Sequence, residues 1–248
     1  AFQLTVIHEA VDVEEREATG DFSTLRTSLG DDHSLTRERV LAEFPHVIVS
    51  TARVERSVAD TWRAHAVPTW VNEDVVLAQP GLKPEAEHII RIEPADTFGL
   101  GNHTTTVLAL RLGLQHCAPQ TRVFDFGCGS GVLAIAVTKI LQCESYVFDI
   151  AHNAEEVVRV NDELNGVRTT WISEFSDLNA DLVFANILAP VLTAESTTIK
   201  NSIHESGLIV LSGMREEQVE QVLLSYQDCE ELAREIGDGW AAVILRKL

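Results

Sequence analysis

The stretch Val123-Phe124-Asp125-Phe126-Gly127-Cys128-Gly129-Ser130-Gly131-Val132-Leu133 limits what this chain can become. An apolar run of strand length passes through three alternating glycines into residues 133–141, whose spacing and length suit a buried helix. Glycines at such a junction open backbone angles closed to other residues. They let a ligand lie against the main chain, facing the free N–H groups of the helix start. A second strand, Ser145-Tyr146-Val147-Phe148, ends in Asp149, about 20 residues after the glycines, where a carboxylate can take both hydroxyls of a ribose. The whole reads as a nucleotide-binding βα unit, with Asp125, Gly127, Cys128, Gly129, Gly131, Asp149 and Ile150 as candidate contact residues.

A dinucleotide fold competes for this reading, but its fingerprint is G-x-G-x-x-G. Here the spacing is G-x-G-x-G preceded by Asp125, which disfavours an NAD-dependent oxidoreductase. Asp-x-Gly-x-Gly-x-Gly resembles motif I of class I S-adenosylmethionine methyltransferases. Ahead of it, Ile92-Glu93-Pro94-Ala95-Asp96-Thr97-Phe98-Gly99-Leu100-Gly101-Asn102-His103-Thr104-Thr105-Thr106 is similar to the segment F-G-x-G-x-H-x-T-T of the ribosomal protein L11 methyltransferase (PrmA) family. After it, Asp181-Leu182-Val183-Phe184-Ala185-Asn186-Ile187-Leu188-Ala189-Pro190 resembles that family's fourth strand and its Asn-Ile-Leu-Ala motif. The three stretches stand in the family's order, and the resemblance covers roughly residues 60–248. Leu100, Asn102 and Thr104 depart from the family's commoner Thr, Thr and Pro, and Ala151-His152 stands where a second acid is frequent.

The resemblance implies a Rossmann-like α/β methyltransferase domain over residues 81–248, with a seven-stranded, mostly parallel sheet. It also implies a small α+β substrate-recognition region over residues 1–80. The implied cofactor is S-adenosyl-L-methionine, with S-adenosyl-L-homocysteine as product. Phe98 and Gly99 would lie against its adenine or methionyl arm, with Thr105 and Thr106 beside them, and Asn186 with the backbone carbonyl of Ile187 would receive a neutral amine. The implied acceptor is a protein, a basic ribosomal protein among the candidates. A related methyltransferase acting on another protein or a small molecule is a second reading, and a non-catalytic cofactor-binding module a third.

The formal charge of −19, with scarce lysine, argues against direct nucleic-acid binding or attachment to an anionic membrane. Such a surface would attract a basic protein, and it would equally suit a salt-rich habitat. No apolar run reaches the length of a membrane span and no signal-peptide pattern opens the sequence, so a cytoplasmic location is expected. Cys117, Cys128, Cys143 and Cys229 lack metal-ligand spacing and read as reduced core or loop residues, with no metal site.

Along the chain, Phe2, Leu4 and Val6 alternate as a strand, residues 11–32 read as loop-rich, and Ser34 caps a helix over residues 35–44. Residues 46–50 read as a strand, and residues 69–71 and 75–77 as a hairpin across Asn72-Glu73-Asp74. Trp62 and Trp70 are expected in packed interior rather than in a docking groove. Pro80-Gly81-Leu82-Lys83-Pro84 is the candidate linker. His103 is expected to fix its loop by hydrogen bonds rather than act as a base. A helix over residues 153–164 ends at Asn165-Gly166, strands follow at 168–172 and 207–212, and a helix at 216–226 precedes a last strand at 241–245. In the loop after the third strand, Ser173, Glu174 and Phe175 are either adenine contacts or ordinary exposed residues.

Overall fold

The computed structural model describes residues 67–93, 102–175 and 178–248, together with four strands nearer the amino terminus. The chain divides into two compact units, Ala1–Ala66 and Val67–Leu248. The expected boundary near residue 80 therefore falls inside the second unit.

The first unit contains β1 (Phe2–Val6), β2 (Glu15–Thr19), β3 (Phe22–Ser28) and β4 (Val49–Arg53), hydrogen-bonded in the order β2-β3-β1-β4. All three pairings are antiparallel. Residues 11–32, expected as loop, thus contribute two strands. Their threonines, Phe22 and Leu25 favour extended backbone without the period-2 alternation that makes a strand visible in sequence. The strand expected at 46–50 is seen as β4, starting later. The helix at 35–44 and Trp62 lie outside the described residues.

The second unit opens with β5 (Thr69–Trp70) and β6 (Val75–Ala78), an antiparallel hairpin whose turn is held by Asn72 Oδ1 accepting from the backbone N–H groups of Asp74 and Val75. β7 (His88–Arg91) adds to it in parallel. Val71, Val75 and Leu77 join the main core, which is why this hairpin belongs with the larger unit. Trp70, expected buried, is instead 46% exposed, on an edge strand with a single neighbour.

The main sheet is built from β8 (Arg122–Phe126), β9 (Glu144–Phe148), β10 (Thr170–Trp171), β11 (Ala180–Asn186), β12 (Ile203–Arg215), β13 (Cys229–Gly237) and β14 (Trp240–Lys247). Its order is β10-β9-β8-β11-β12-β14-β13. The first five strands run parallel and the β13–β14 pair is antiparallel. This is the expected seven-stranded, mostly parallel α/β sheet. Both faces are covered, so its strands are apolar at successive positions. In β11, Leu182 and Phe184 pack into one core while Val183 and Ala185 pack into the other.

On the first face lie α1 (Thr104–His116) and α2 (Val132–Leu141). Gly113 lets α1 lie directly on the ring of Phe184, where a Cβ would collide. The helix α3 (Ala154–Asn165) starts with Glu155 and Glu156 in its first turn, suited to the positive end of the helix dipole, and stops at Gly166 with φ 65°. On the other face, α4 (Ala189–Ala194), α5 (Ser196–Asn201) and α6 (Val219–Leu223) contribute Leu192, Ile199 and Val222 to the second core. The helix expected over 216–226 is α-helical only at Val219–Leu223, between 3₁₀ turns at Glu216–Gln218 and Leu224–Tyr226.

Strand order reverses between β8 and β11, and in such sheets ligands bind outside the carboxyl ends of the strands at that switch point. Gly127 follows β8, Asp149 follows β9 and Asn186 ends β11.

Candidate functional site

The glycine loop is shaped by three left-handed residues, Gly127, Gly129 and Gly131, at φ 76°, 53° and 78°. Backbone N–H groups of Gly127 and Cys128 donate to the Phe148 carbonyl at 2.8 and 3.0 Å, tying the loop to the end of β9. Asp149 closes the arrangement: one carboxylate oxygen accepts from Gly129 N–H and the other from Ala151 N–H, both at 2.8 Å. Each oxygen keeps a further lone pair. Ile150 beside it is 89% exposed, an apolar side chain left in the open at the rim of the loop.

Asp125 lies behind this loop. It is buried and accepts from the Ala134 N–H of α2 at 3.3 Å. Burial pushes its carboxyl up to about 7, the Ala134 N–H opposes that, and the negative charge of Asp149 adds to it. Its visible work is therefore to hold the first turns of α2.

The second wall is the end of β11. Asn186 pairs with Ser212 across to β12, and its Nδ2 donates to Thr106 Oγ1 at 3.4 Å. Its Oδ1 is buried and, among the described residues, has no hydrogen-bond partner. A buried acceptor left this way costs about 1–3 kcal/mol. Ile187 N–H donates to the Ser212 carbonyl at 3.2 Å. The Ile187 side chain meets the bare Cα of Gly127, where a Cβ would stand 2.5 Å from Cγ2. That contact brings the glycine loop and the Asn186 segment together.

The first turn of α1 completes the wall. His103 is its N-cap, with Nδ1 accepting from Thr105 N–H at 3.3 Å and sharing a hydrogen bond with Thr105 Oγ1 at 2.8 Å. Ser212 Oγ donates to the Thr105 carbonyl at 3.0 Å. Thr105 and Thr106 are thereby fixed, buried, next to Asn186. Burial, and secondarily the charge of Arg215, lower the His103 pKa, which favours the neutral ring that a capping acceptor needs. The expected loop-fixing role agrees with this geometry. The His103 ring meets Trp240 edge-on at 4.9 Å, and Arg215 stacks on the same indole at 3.8 Å.

Of the expected site residues, Phe98 and Gly99 lie outside the described residues. Asn161 was not singled out, yet its amide joins two key segments: Nδ2 donates to the Ser130 carbonyl of the glycine loop, and Oδ1 accepts from Glu93 N–H just ahead of the Phe98 stretch. Its signal was a polar residue on the apolar face of an amphipathic helix. Phe175, left open between two roles, stacks among Phe124, Phe126 and Phe148. Among the described residues no group of three or more His, Cys, Asp or Glu converges as a metal site.

The family model described as ribosomal protein L11 methyltransferase (PrmA) matches residues 32–248. The ribosomal protein L11 methyltransferase of Thermoanaerobacter pseudethanolicus is 32% identical over 199 residues, 76% of this chain and 64% of that protein. The chain thus spans less than two thirds of that relative's length. The Clostridium botulinum protein of the same name is 27% identical over 258 residues, 95% of this chain and 82% of the relative. Among solved structures, a ribosomal protein L11 methylase from Lactobacillus delbrueckii subsp. bulgaricus superposes with a TM-score of 0.65 at 26% identity, covering 73% of this chain and 99% of that one.

Proposed function

Because the chain belongs to the ribosomal protein L11 methyltransferase (PrmA) family, we propose that it is an S-adenosyl-L-methionine-dependent N-methyltransferase acting on amino groups of a protein, a basic ribosomal protein being the favoured acceptor. The observation that carries the reading is the buried Oδ1 of Asn186, unpartnered among the described residues, at the switch point of the sheet.

The residues present fit the cofactor. Three glycines remove side chains from the loop it would lie against, Asp149 keeps lone pairs for two ribose hydroxyls, and Ile150 offers an exposed apolar face for an adenine ring. When bound, S-adenosyl-L-methionine supplies an electrophilic methyl on a sulfonium, to be attacked in line by the acceptor nitrogen. The chain's own part is to position and desolvate that nitrogen. A lysine amine has a pKa of about 10.4, so at pH 7 its neutral form costs roughly 4–5 kcal/mol. Burial against Ile187 and Leu188 would lower that cost, and Asn186 Oδ1, aided by the Ile187 carbonyl, would accept the N–H bonds that a neutral amine retains. Thr106 holds the other end of the Asn186 amide and so fixes which atom faces the amine.

The four-stranded unit at the amino terminus, within the stretch read as residues 1–80, takes the part of protein capture in this proposal. A cytoplasmic site of action goes with a ribosomal acceptor. Among the described residues no helix is long and apolar enough to cross a membrane.

Two measurements test the reading together. Thermal midpoints should rise with S-adenosyl-L-methionine and S-adenosyl-L-homocysteine but not with NAD. Mass spectrometry of ribosomal protein L11 incubated with the protein and S-adenosyl-L-methionine should show methyl groups on lysine or the α-amine. Stabilisation by NAD alone, or cofactor binding without methylation of any ribosomal protein, speaks against it.

A further inference from the structure

All four cysteines are free thiols, but two of them are neighbours in space. Cys117 follows the last turn of α1 and Cys143 immediately precedes β9. Their sulfurs lie 3.8 Å apart across a separation of 26 positions. Both are buried, at the amino-terminal edge of the parallel strands, whereas the glycine loop and Asn186 sit at the carboxyl edge. Thr121 Oγ1 lies 3.2 Å from the Cys117 sulfur and 3.6 Å from that of Cys143. A cavity of about 220 Å³, lined by His116, Cys117, Thr121, Asp181 and His204 among others, reaches Cys117 and Thr121 from the surface, and both of these touch the Cys143 sulfur behind them. That volume holds several water-sized molecules. Neither thiol has a part in methyl transfer.

We propose that Cys117 and Cys143 are a redox-active dithiol that closes to an intramolecular disulfide when a peroxide enters this cavity. The Cys143 thiolate attacks one peroxide oxygen; the O–O bond breaks, and the leaving hydroxide takes a proton to become water. Cys143 is left as a sulfenic acid. The Cys117 sulfur then attacks the Cys143 sulfur, the S–S bond forms, the S–O bond breaks, and the hydroxyl leaves with the Cys117 proton as a second water. Two thiols lose two electrons and two protons, and one hydrogen peroxide becomes two waters. The sulfurs have to close from 3.8 Å to about 2.05 Å.

The geometry also divides the roles. A hydrogen bond from the Cys117 thiol, opposed by burial and aided by Thr121 and the Thr121 and Gln120 backbone N–H groups, pulls the Cys143 thiol down to about 6. Donating to that sulfur and being buried push Cys117 the other way. A low-pKa attacking thiol beside a protonated resolving thiol is the arrangement that favours disulfide over further oxidation. The link would join the far ends of α1 and β9, whose near ends carry Thr105 and Asp149. By restricting the unfolded chain it should raise the thermal midpoint by roughly 5–10 °C.

The test uses the full chain, reduced, freed of thiol and treated with hydrogen peroxide, then digested without reduction and mapped by mass spectrometry. The expected result is a Cys117–Cys143 cross-linked peptide pair lighter by two hydrogens, reversed by dithiothreitol, with the higher midpoint. Cys117→Ser and Cys143→Ser should each abolish it, while Cys229→Ser leaves it intact. The proposal is overturned if Cys143 proceeds to sulfinic acid with Cys117 still a thiol. It is equally overturned if both thiols stay unreacted while Cys229 oxidises, or if the linked pair includes Cys229.

Discussion

The backbone of Ile187 occupies the place where a side chain at Gly213 would stand. A Cβ there would lie 2.8 Å from the Ile187 carbonyl carbon and 2.9 Å from its nitrogen, and Gly213 is itself left-handed at φ 85°. Only glycine lets β12 pass this close to the segment after Asn186. Gly213→Ala should therefore displace the Ile187 carbonyl, lowering turnover at least tenfold and stability by about 1–3 kcal/mol. Affinity for S-adenosyl-L-homocysteine should fall less than turnover, as steady-state kinetics and calorimetry on the same preparation can show.

Asp149→Ala should weaken cofactor binding selectively. A charge-assisted hydrogen bond contributes roughly 1.5–3 kcal/mol, a tenfold or larger change in affinity. The variant also frees the Gly129 and Ala151 N–H groups, so part of the loss is loop order. Calorimetry on a folded variant with unchanged affinity would remove Asp149 from the ribose role.

Asp125 sets a pH dependence. Its folded-state carboxyl is pushed up to about 7 while the unfolded value is about 3.9, so between these values the folded state holds the extra proton. Its contribution is most favourable below pH 4, declines as pH rises towards 7, and remains a constant penalty above that. Asp125→Asn keeps an acceptor for Ala134 and removes the buried charge. Its thermal midpoint should exceed that of the parent by roughly 5–10 °C at pH 8 and converge with it near pH 4. An offset equal at both pH values would contradict the buried-charge assignment.

A fragment beginning at Val67 should fold and bind cofactor, whereas one beginning at Gly81 should aggregate. The second cut removes Val71, Val75 and Leu77 from the core that they share with Ile90, Leu112 and Ile135, exposing apolar surface over α1. Circular dichroism and light scattering on the two fragments separate these outcomes. Methylation of the protein acceptor at full rate by the Val67 fragment would show that the first unit does not capture it.

The βα unit was legible because a buried parallel strand, a glycine loop and an acid at the next strand end each leave a distinct mark in sequence: Val123–Phe126, Gly127–Gly131 and Asp149. The end of α3 was equally plain at Asn165-Gly166. Helix α1 left a weaker mark. Its threonine start is a poor helix former, and being covered on two sides gives it Val107, Leu108, Leu110 and Leu112 without a clean amphipathic stripe. Strand β13, Cys-Glu-Glu-Leu-Ala-Arg-Glu-Ile-Gly, has helix-like composition. Only the Asp238-Gly239 turn that follows, with both φ values positive, signals a hairpin. At the candidate site, Asn186 was marked by the resemblance of Asn186-Ile187-Leu188-Ala189 to the family's motif. The roles of Ser212 and Gly213 depend on contacts between distant segments, which no local pattern carries.

The central assignment rests on Asn186 as the acceptor that receives a neutral amine, and Asn186→Ala tests it most directly. Single-turnover methyl transfer to the protein acceptor and calorimetric affinity for S-adenosyl-L-homocysteine should be measured on the parent and the variant. The expected result is affinity within a few-fold of the parent and a methyl-transfer rate lower by about 100-fold or more, as for loss of a positioned transition-state partner. A variant that transfers methyl at the parental rate and loses only cofactor affinity would contradict it.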